Sequence, residues 1–120
     1  MLVALDHIQL AMPAGGEGAA RAFYGKLLGL REVAKPEPLR GRGGCWFEGP
    51  GVGVHLGTVI PFQPAKKAHP AFRVAQLGTL YARLQAANAE PKWDEALPGV
   101  KRFYAADPFG NRLEFLEALS

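Results

Sequence analysis

Residues 107–117 read Asp-Pro-Phe-Gly-Asn-Arg-Leu-Glu-Phe-Leu-Glu, and this stretch decides the fold. Its first half, DPFGN, is built from turn formers, and its second half alternates apolar and polar side chains as a half-buried strand does. Leu113 and Phe115 fall on one face of that strand and Arg112 and Glu114 on the other. A carboxylate in the middle of so apolar a strand either faces solvent or has been put to chemical use.

The chain has 120 residues, a length that specifies one domain able to bury roughly two-thirds of the surface its unfolded form exposes. A composition of 48% hydrophobic and 21% charged residues, with 15 Gly and 10 Pro, excludes a disordered or fibrous chain and points to a turn-rich globular one. The net charge of +3 is spread over scattered basic residues and not gathered into a block, which favours a small anionic molecule over nucleic acid as a partner. The first residues, MLVALD, reach an acid before a signal-like apolar run develops, and no stretch has the roughly 18 apolar residues of a membrane span. A cytoplasmic protein without membrane partners is therefore expected. The single cysteine, Cys45, cannot form an intrachain disulfide and reads as a half-buried thiol.

Two similar halves emerge along the chain, residues 1–60 and 67–120. In the first, residues 3–12 predict a strand ended by Pro13. Ala20, Phe23, Tyr24, Leu27 and Leu28 then recur at helical spacing, with Gly29 at the C-terminal cap. Strands are predicted at 31–34, 44–48 and 52–58. The second half repeats the order: a strand at 69–74, a helix carrying Leu77, Leu80, Tyr81, Leu84 and Ala87 with Asn88 as its cap, and strands near 91–94, 101–106 and 111–117. One shift brings Phe23, Tyr24 and Leu27 onto Leu80, Tyr81 and Leu84. Another brings GVGVH (51–55) onto GNRLE (110–114), so that His55 and Glu114 are equivalent. An internal duplication of a βαβββ module is the simplest account. The predicted class is α+β, and if the eight strands form a curved sheet the helices lie outside it.

The period-two rule then sorts the strand faces. Val52, Val54 and Leu56 oppose Gly53, His55 and Gly57, a face whose two glycines leave room for a ligand. Ile8, Leu10 and Met12 oppose His7, Gln9 and Ala11, while Phe72 and Val74 oppose His69, Ala71 and Arg73. All three histidines and Glu114 thus oppose the face that packs on the helices. Taken singly, each reads as an ordinary surface or hydrogen-bonded residue; their equivalent placing in both halves is what favours a site. Phe23, Tyr24, Leu80 and Tyr81 read as helix-packing residues, and the GxG at 51–53 is a turn because no helix follows it.

LDHIQLAMP near the start, FYGKLLGL at the first helix end, HPAFRV at mid-chain and DPFGNRLEFLE at the end together resemble the vicinal oxygen chelate superfamily of glyoxalase I, bleomycin and fosfomycin resistance proteins, methylmalonyl-CoA epimerase and extradiol dioxygenases. The resemblance covers essentially the whole chain, and DPFGNRLEF is its most specific piece. It implies two βαβββ modules forming a cupped mixed sheet with the helices on its outer face, usually in a homodimer, and a divalent metal held by residues of the first and last strands of the modules. By position, His7 and His69 match first-strand ligands and Glu114 the last-strand glutamate. His55 stands where glyoxalase I enzymes commonly carry a carboxylate that also serves as a base.

Two chemistries follow. If His55 coordinates, three imidazoles and one carboxylate suit Fe, Mn, Ni, Co or Zn and suit Mg or Ca poorly. If it does not, His7, His69 and Glu114 form a two-histidine, one-carboxylate set, and His55 is free for proton transfer. Either way the expected role is metal-dependent catalysis of lyase, isomerase or dioxygenase type, in which the metal binds two neighbouring oxygens of a small substrate and stabilises an oxyanion or enediolate. His55 and Glu114 are the expected catalytic residues. Gln9, Arg73, Arg102, Tyr104 and Arg112 are candidates for orienting a polar or anionic substrate, with Trp46 as an apolar wall. The alternative is a metal-free protein that sequesters a small molecule, as in the bleomycin resistance branch, for which an acidic cavity would be expected.

Overall fold

The structure is a computed structural model and describes residues 1–118. The chain divides into two units, residues 1–64 and 65–120, the boundary falling in the loop between the two predicted modules. The eight strands hydrogen-bond as two mixed sheets of four with the same internal order, as expected of two βαβββ modules in an α+β fold.

In the first unit β1 (Ile8–Met12) lies parallel to β4 (Val52–Thr58), which pairs antiparallel with β3 (Cys45–Gly49), and β3 in turn with β2 (Arg31–Val33). The predicted strand at 3–12 is shortened to Ile8–Met12 because the ladder with β4 begins at Ile8; Leu2, Val3 and Leu5 are exposed. The predicted helix is α1 (Glu17–Ala20) continued by a π-helical segment over Arg21–Leu27, whose wider turn is marked by the Leu28 N–H to Phe23 C=O bond of 2.9 Å. Gly29, at φ +78°, reverses the chain as expected of a left-handed cap. A short 3-10 segment at Glu37–Arg42 has no counterpart in the apolar pattern; its first turn carries a proline rather than a periodic apolar face.

The second unit repeats the plan. β5 (Ala71–Arg73) runs parallel to β8 (Arg112–Ala118), β8 antiparallel to β7 (Val100–Ala106), and β7 antiparallel to β6 (Lys92–Asp94). α2 (Leu77–Ala86) packs across β7 and β8.

Each sheet has one packed face. In the first unit Leu10, Met12, Cys45, Phe47, Val54 and Leu56 are buried together with Phe23 and Tyr24, and Tyr24 lies 5.8 Å from Phe47 between ring centres. The Cys45 thiol is fully buried rather than half-buried, and that burial pushes its pKa up to about 11, so it is an inert core group. In the second unit Leu77, Leu84, Phe103, Leu113 and Phe115 are buried, and Tyr81 stacks on Trp93 at 4.6 Å while meeting Phe103 edge-on at 5.2 Å. The period-two rule had placed Leu10, Met12, Val54, Leu56, Leu113 and Phe115 on the helix side; Cys45, Phe47 and Phe103 join them through the strand register.

Candidate metal and substrate site

The turn at Asp107–Asn111 sets the position of Glu114. Asp107 Oδ1 accepts the backbone N–H groups of Phe109 and Asn111, both at 2.9 Å, and its Oδ2 accepts the Asn111 side-chain amide at 2.9 Å. Gly110 takes φ +91°, which a side chain rarely tolerates. Asn111 Oδ1 then accepts the Ala65 N–H at 3.0 Å, and the Arg112 N–H donates to the Ala65 carbonyl at 2.8 Å, so the turn holds the chain that leads into β5. From there the Glu114 N–H reaches the Pro70 carbonyl at 3.0 Å, which puts the Glu114 side chain beside His69.

The two sheets carry matching pairs. Gln9 and Trp46 flank His55 in the strand register, and Ala71 and Tyr104 flank Glu114. His7 precedes Gln9 by the same two residues that separate His69 from Ala71. The equivalence of His55 with Glu114, and of His7 with His69, is therefore a property of the register. Among the described residues no group of three or more His, Cys, Asp or Glu side chains stands together as a metal cluster; the donors stand as two pairs, one in each unit.

In the second unit His69 Nε2 is 2.9 Å from Glu114 Oε1, and His69 Nδ1 is 2.9 Å from the Lys67 carbonyl oxygen. Both the carbonyl and the carboxylate are acceptors, so a neutral ring, with one N–H, satisfies only one of the two contacts; the other needs a second proton on the ring or a cation in its place. Two donors each about 2.1 Å from one ion and at right angles stand about 3 Å apart, so the observed separation fits adjacent ligands. Glu114 is only 8% exposed. Burial alone would raise its pKa, but the hydrogen bond from His69 and the charge of Arg102 outweigh burial and hold the carboxyl below the ordinary value. Arg102 Nη1 approaches Glu114 Oε2 at 3.4 Å and Arg102 Nη2 approaches Asp94 Oδ1 at 3.5 Å.

In the first unit the rings of His7 and His55 stack with centres 4.0 Å apart, and His55 stacks on its other side against Trp46 at 3.7 Å. Burial first, and then the neighbouring His7, push the His55 imidazole below its ordinary pKa, which leaves it neutral near pH 7 with a free lone pair. His7 Nδ1 donates to Asp6 Oδ2 at 2.8 Å, so Nε2 is its open nitrogen. An ion lies in the plane of each imidazole that binds it, so a shared ligand would require these rings to turn out of their parallel stack.

The glycines of β4 make room first for neighbouring side chains, and Gly53 also borders a depression of about 370 Å³ with Asp6, His7 and His55. A Cβ at Gly53 would meet His7 Cβ at 3.0 Å, and one at Gly57 would meet Gln9 Nε2 at 2.5 Å. Their bare backbone instead lets His7 and Gln9 lie across the strand. Arg102 and Tyr104, whose face the sequence left open, share that of Glu114: Tyr104 pairs directly with Glu114, and Arg112 sits 4.0 Å over the Tyr104 ring. Arg73 is exposed on β5, one period from Ala71. Sequence reasoning missed Asp6 and Asp94. The first was signalled by its adjacency to His7; the second required the β6–β7 register, which pairs Asp94 with Arg102.

Comparison with known proteins agrees with this architecture. The sequence model described as Glyoxalase/Bleomycin resistance protein/Dioxygenase superfamily matches residues 4–115. A glyoxalase family protein from Bacillus anthracis has a similar structure, with a TM-score of 0.95 and 46% identity over 99% of this chain and 98% of that one. At 21% identity a glyoxalase/dioxygenase from Nostoc punctiforme (TM-score 0.75, 95% and 90% covered) shares the fold. So does the genomically encoded fosfomycin resistance protein FosX from Listeria monocytogenes, at 18% identity (TM-score 0.78, 99% and 96% covered). No curated protein matches the chain significantly. With the family profile spanning almost its whole length and its sheets ordered as two βαβββ modules, the chain belongs to the glyoxalase/bleomycin resistance protein/dioxygenase superfamily.

Proposed function

We propose that the protein is a divalent-metal-dependent enzyme of lyase, isomerase or dioxygenase type, for which His7, His55, His69 and Glu114 supply the ligand donors. The observation that carries this reading is the His69–Glu114 contact. At 2.9 Å an imidazole nitrogen and a carboxylate oxygen stand side by side, and one ring proton does not serve both this contact and the one to the Lys67 carbonyl. The nitrogen and oxygen donors suit Fe, Mn, Co, Ni or Zn, and a bound ion supplies Lewis acidity toward two neighbouring oxygens of a small substrate.

The chain's own groups do the remaining work. Neutral His55 is able to act as a ligand or to take a proton from substrate carbon, and its stack with Trp46 holds the ring in place. Glu114 stays ionised through His69 and Arg102. Arg102, Tyr104 and Arg112 present guanidinium and phenol donors on the face that carries Glu114, suited to a polar or anionic substrate.

Elemental analysis of gently purified protein and of His69→Ala and Glu114→Ala tests the reading. A transition metal in the parent, absent from both variants, is expected; a metal content indifferent to both substitutions rejects it. The flat Trp46–His55–His7 stack favours a second reading, capture of a planar molecule without metal. Protein free of metal that nonetheless takes up an aromatic drug-like ligand in equilibrium dialysis would support that reading instead.

A further inference from the structure

We infer that the end of the second sheet beyond Tyr104 is a binding subsite for an anionic group, formed by Lys66, Lys92 and Arg112. These side chains line an open depression of about 270 Å³ together with Tyr104, Ala106 and Gly110. The strand register explains why they meet. Lys92 is paired with Tyr104, Tyr104 with Glu114, and Ala106 with Arg112, so Lys92 and Arg112 share the face that carries Glu114. Lys66 arrives from the chain that the Asn111 turn holds at Ala65.

None of the three cations is within ion-pairing distance of a carboxylate among the described residues. The Arg112 guanidinium carbon sits 4.0 Å over the Tyr104 ring centre, a contact that positions a group able to bind an oxygen pair in bidentate fashion. Glu90 is the acid in the same lining and offsets one of the positive charges, so the depression keeps a positive balance.

Arg112 stands two residues from Glu114 on one strand face, a separation of about 7 Å. Resting on the function proposed above, this spacing defines a substrate class: a small acid whose carboxylate or phosphate lies several bonds from the oxygens that meet the Glu114 donors. The subsite itself does not depend on metal.

The test is an amide-resolved NMR titration of chelator-stripped protein with inorganic phosphate and, separately, phenyl phosphate, at ionic strength held constant with chloride. Saturable shifts at Lys92, Tyr104 and Arg112 are expected with both anions. Half-saturation should rise about tenfold in the folded Lys92→Gln/Arg112→Gln variant, and fall in Glu90→Gln. A single Lys92→Gln substitution, at an exposed side chain, serves if the double variant loses its dispersed spectrum, and should weaken binding about threefold. Shifts that do not saturate, or that persist unchanged in the variants, overturn the subsite. Binding of inorganic phosphate without phenyl phosphate overturns its role in holding a substrate. Because metal is absent throughout, failure of the metal reading leaves this outcome unaffected.

Discussion

At the residue scale the decisive side chains are the nitrogen and oxygen donors whose neighbours the fold has fixed. His7, His69, His55 and Glu114 were legible because period two and the repeat placed them on one kind of face. Asp6 was not singled out, since a charged residue beside a strand reads as solvated surface until its contact is seen. That contact orients His7, and removing an orienting carboxylate commonly weakens metal binding 10- to 100-fold. Asp6→Asn should therefore lower metal affinity by about that factor, measured by competition with a chromophoric chelator, while leaving the far-ultraviolet spectrum unchanged. His55 gives a pH signature in the metal-free protein. Its folded pKa lies below the ordinary 6.5, so as pH falls the unfolded chain takes up the proton first. The associated stability is complete above pH 6.5 and is lost as pH falls below it through the folded value. Denaturant midpoints between about pH 5 and 8 should show this decline in the parent and a flatter limb in His55→Gln. An identical slope in both would place the linkage elsewhere.

At the scale of elements the strands were readable wherever a partner strand extends their pattern, and overextended where none does. Residues 3–12 look uniform in sequence, yet only Ile8–Met12 finds β4 beside it. Apolar alternation reports which face a residue would take and says nothing of where the ladder stops. Glycines show the same limit. Gly53 and Gly57 read as space for a ligand, whereas they accommodate His7 and Gln9. Gly44 went unremarked, although it takes φ +82° and a Cβ there would overlap the Leu56 carbonyl oxygen. The contrast is testable. Gly44→Ala meets immovable backbone in a left-handed conformation and should cost about 2–4 kcal/mol. Gly57→Ala meets only the end of a flexible glutamine and should cost about 1 kcal/mol or less. Urea denaturation of the two variants measures both; equal losses would contradict the assignment of Gly44 to a backbone role.

At the scale of the whole molecule the duplication is the organising fact. Each sheet places its last strand between the first and third, and each puts a donor at the same register position of that last strand, an imidazole in one half and a carboxylate in the other. The duplicated order could be read from sequence because both helices and both glycine turns repeat. The division of eight strands into two sheets of four could not, because strand pairing is set by hydrogen bonds between backbones that side-chain pattern does not record. What the repeat provides chemically is a nitrogen pair in one half and a nitrogen–oxygen pair in the other, and the proposed chemistry depends on these donors binding a metal ion.

Visible absorption during titration of the metal-free protein with Co(II) examines that dependence directly. The proposed metal centre should give ligand-field bands that saturate at about one equivalent per chain and that vanish in His69→Ala and, separately, in Glu114→Ala. Bands that saturate unchanged in either variant, or no saturable band in the parent, would contradict it.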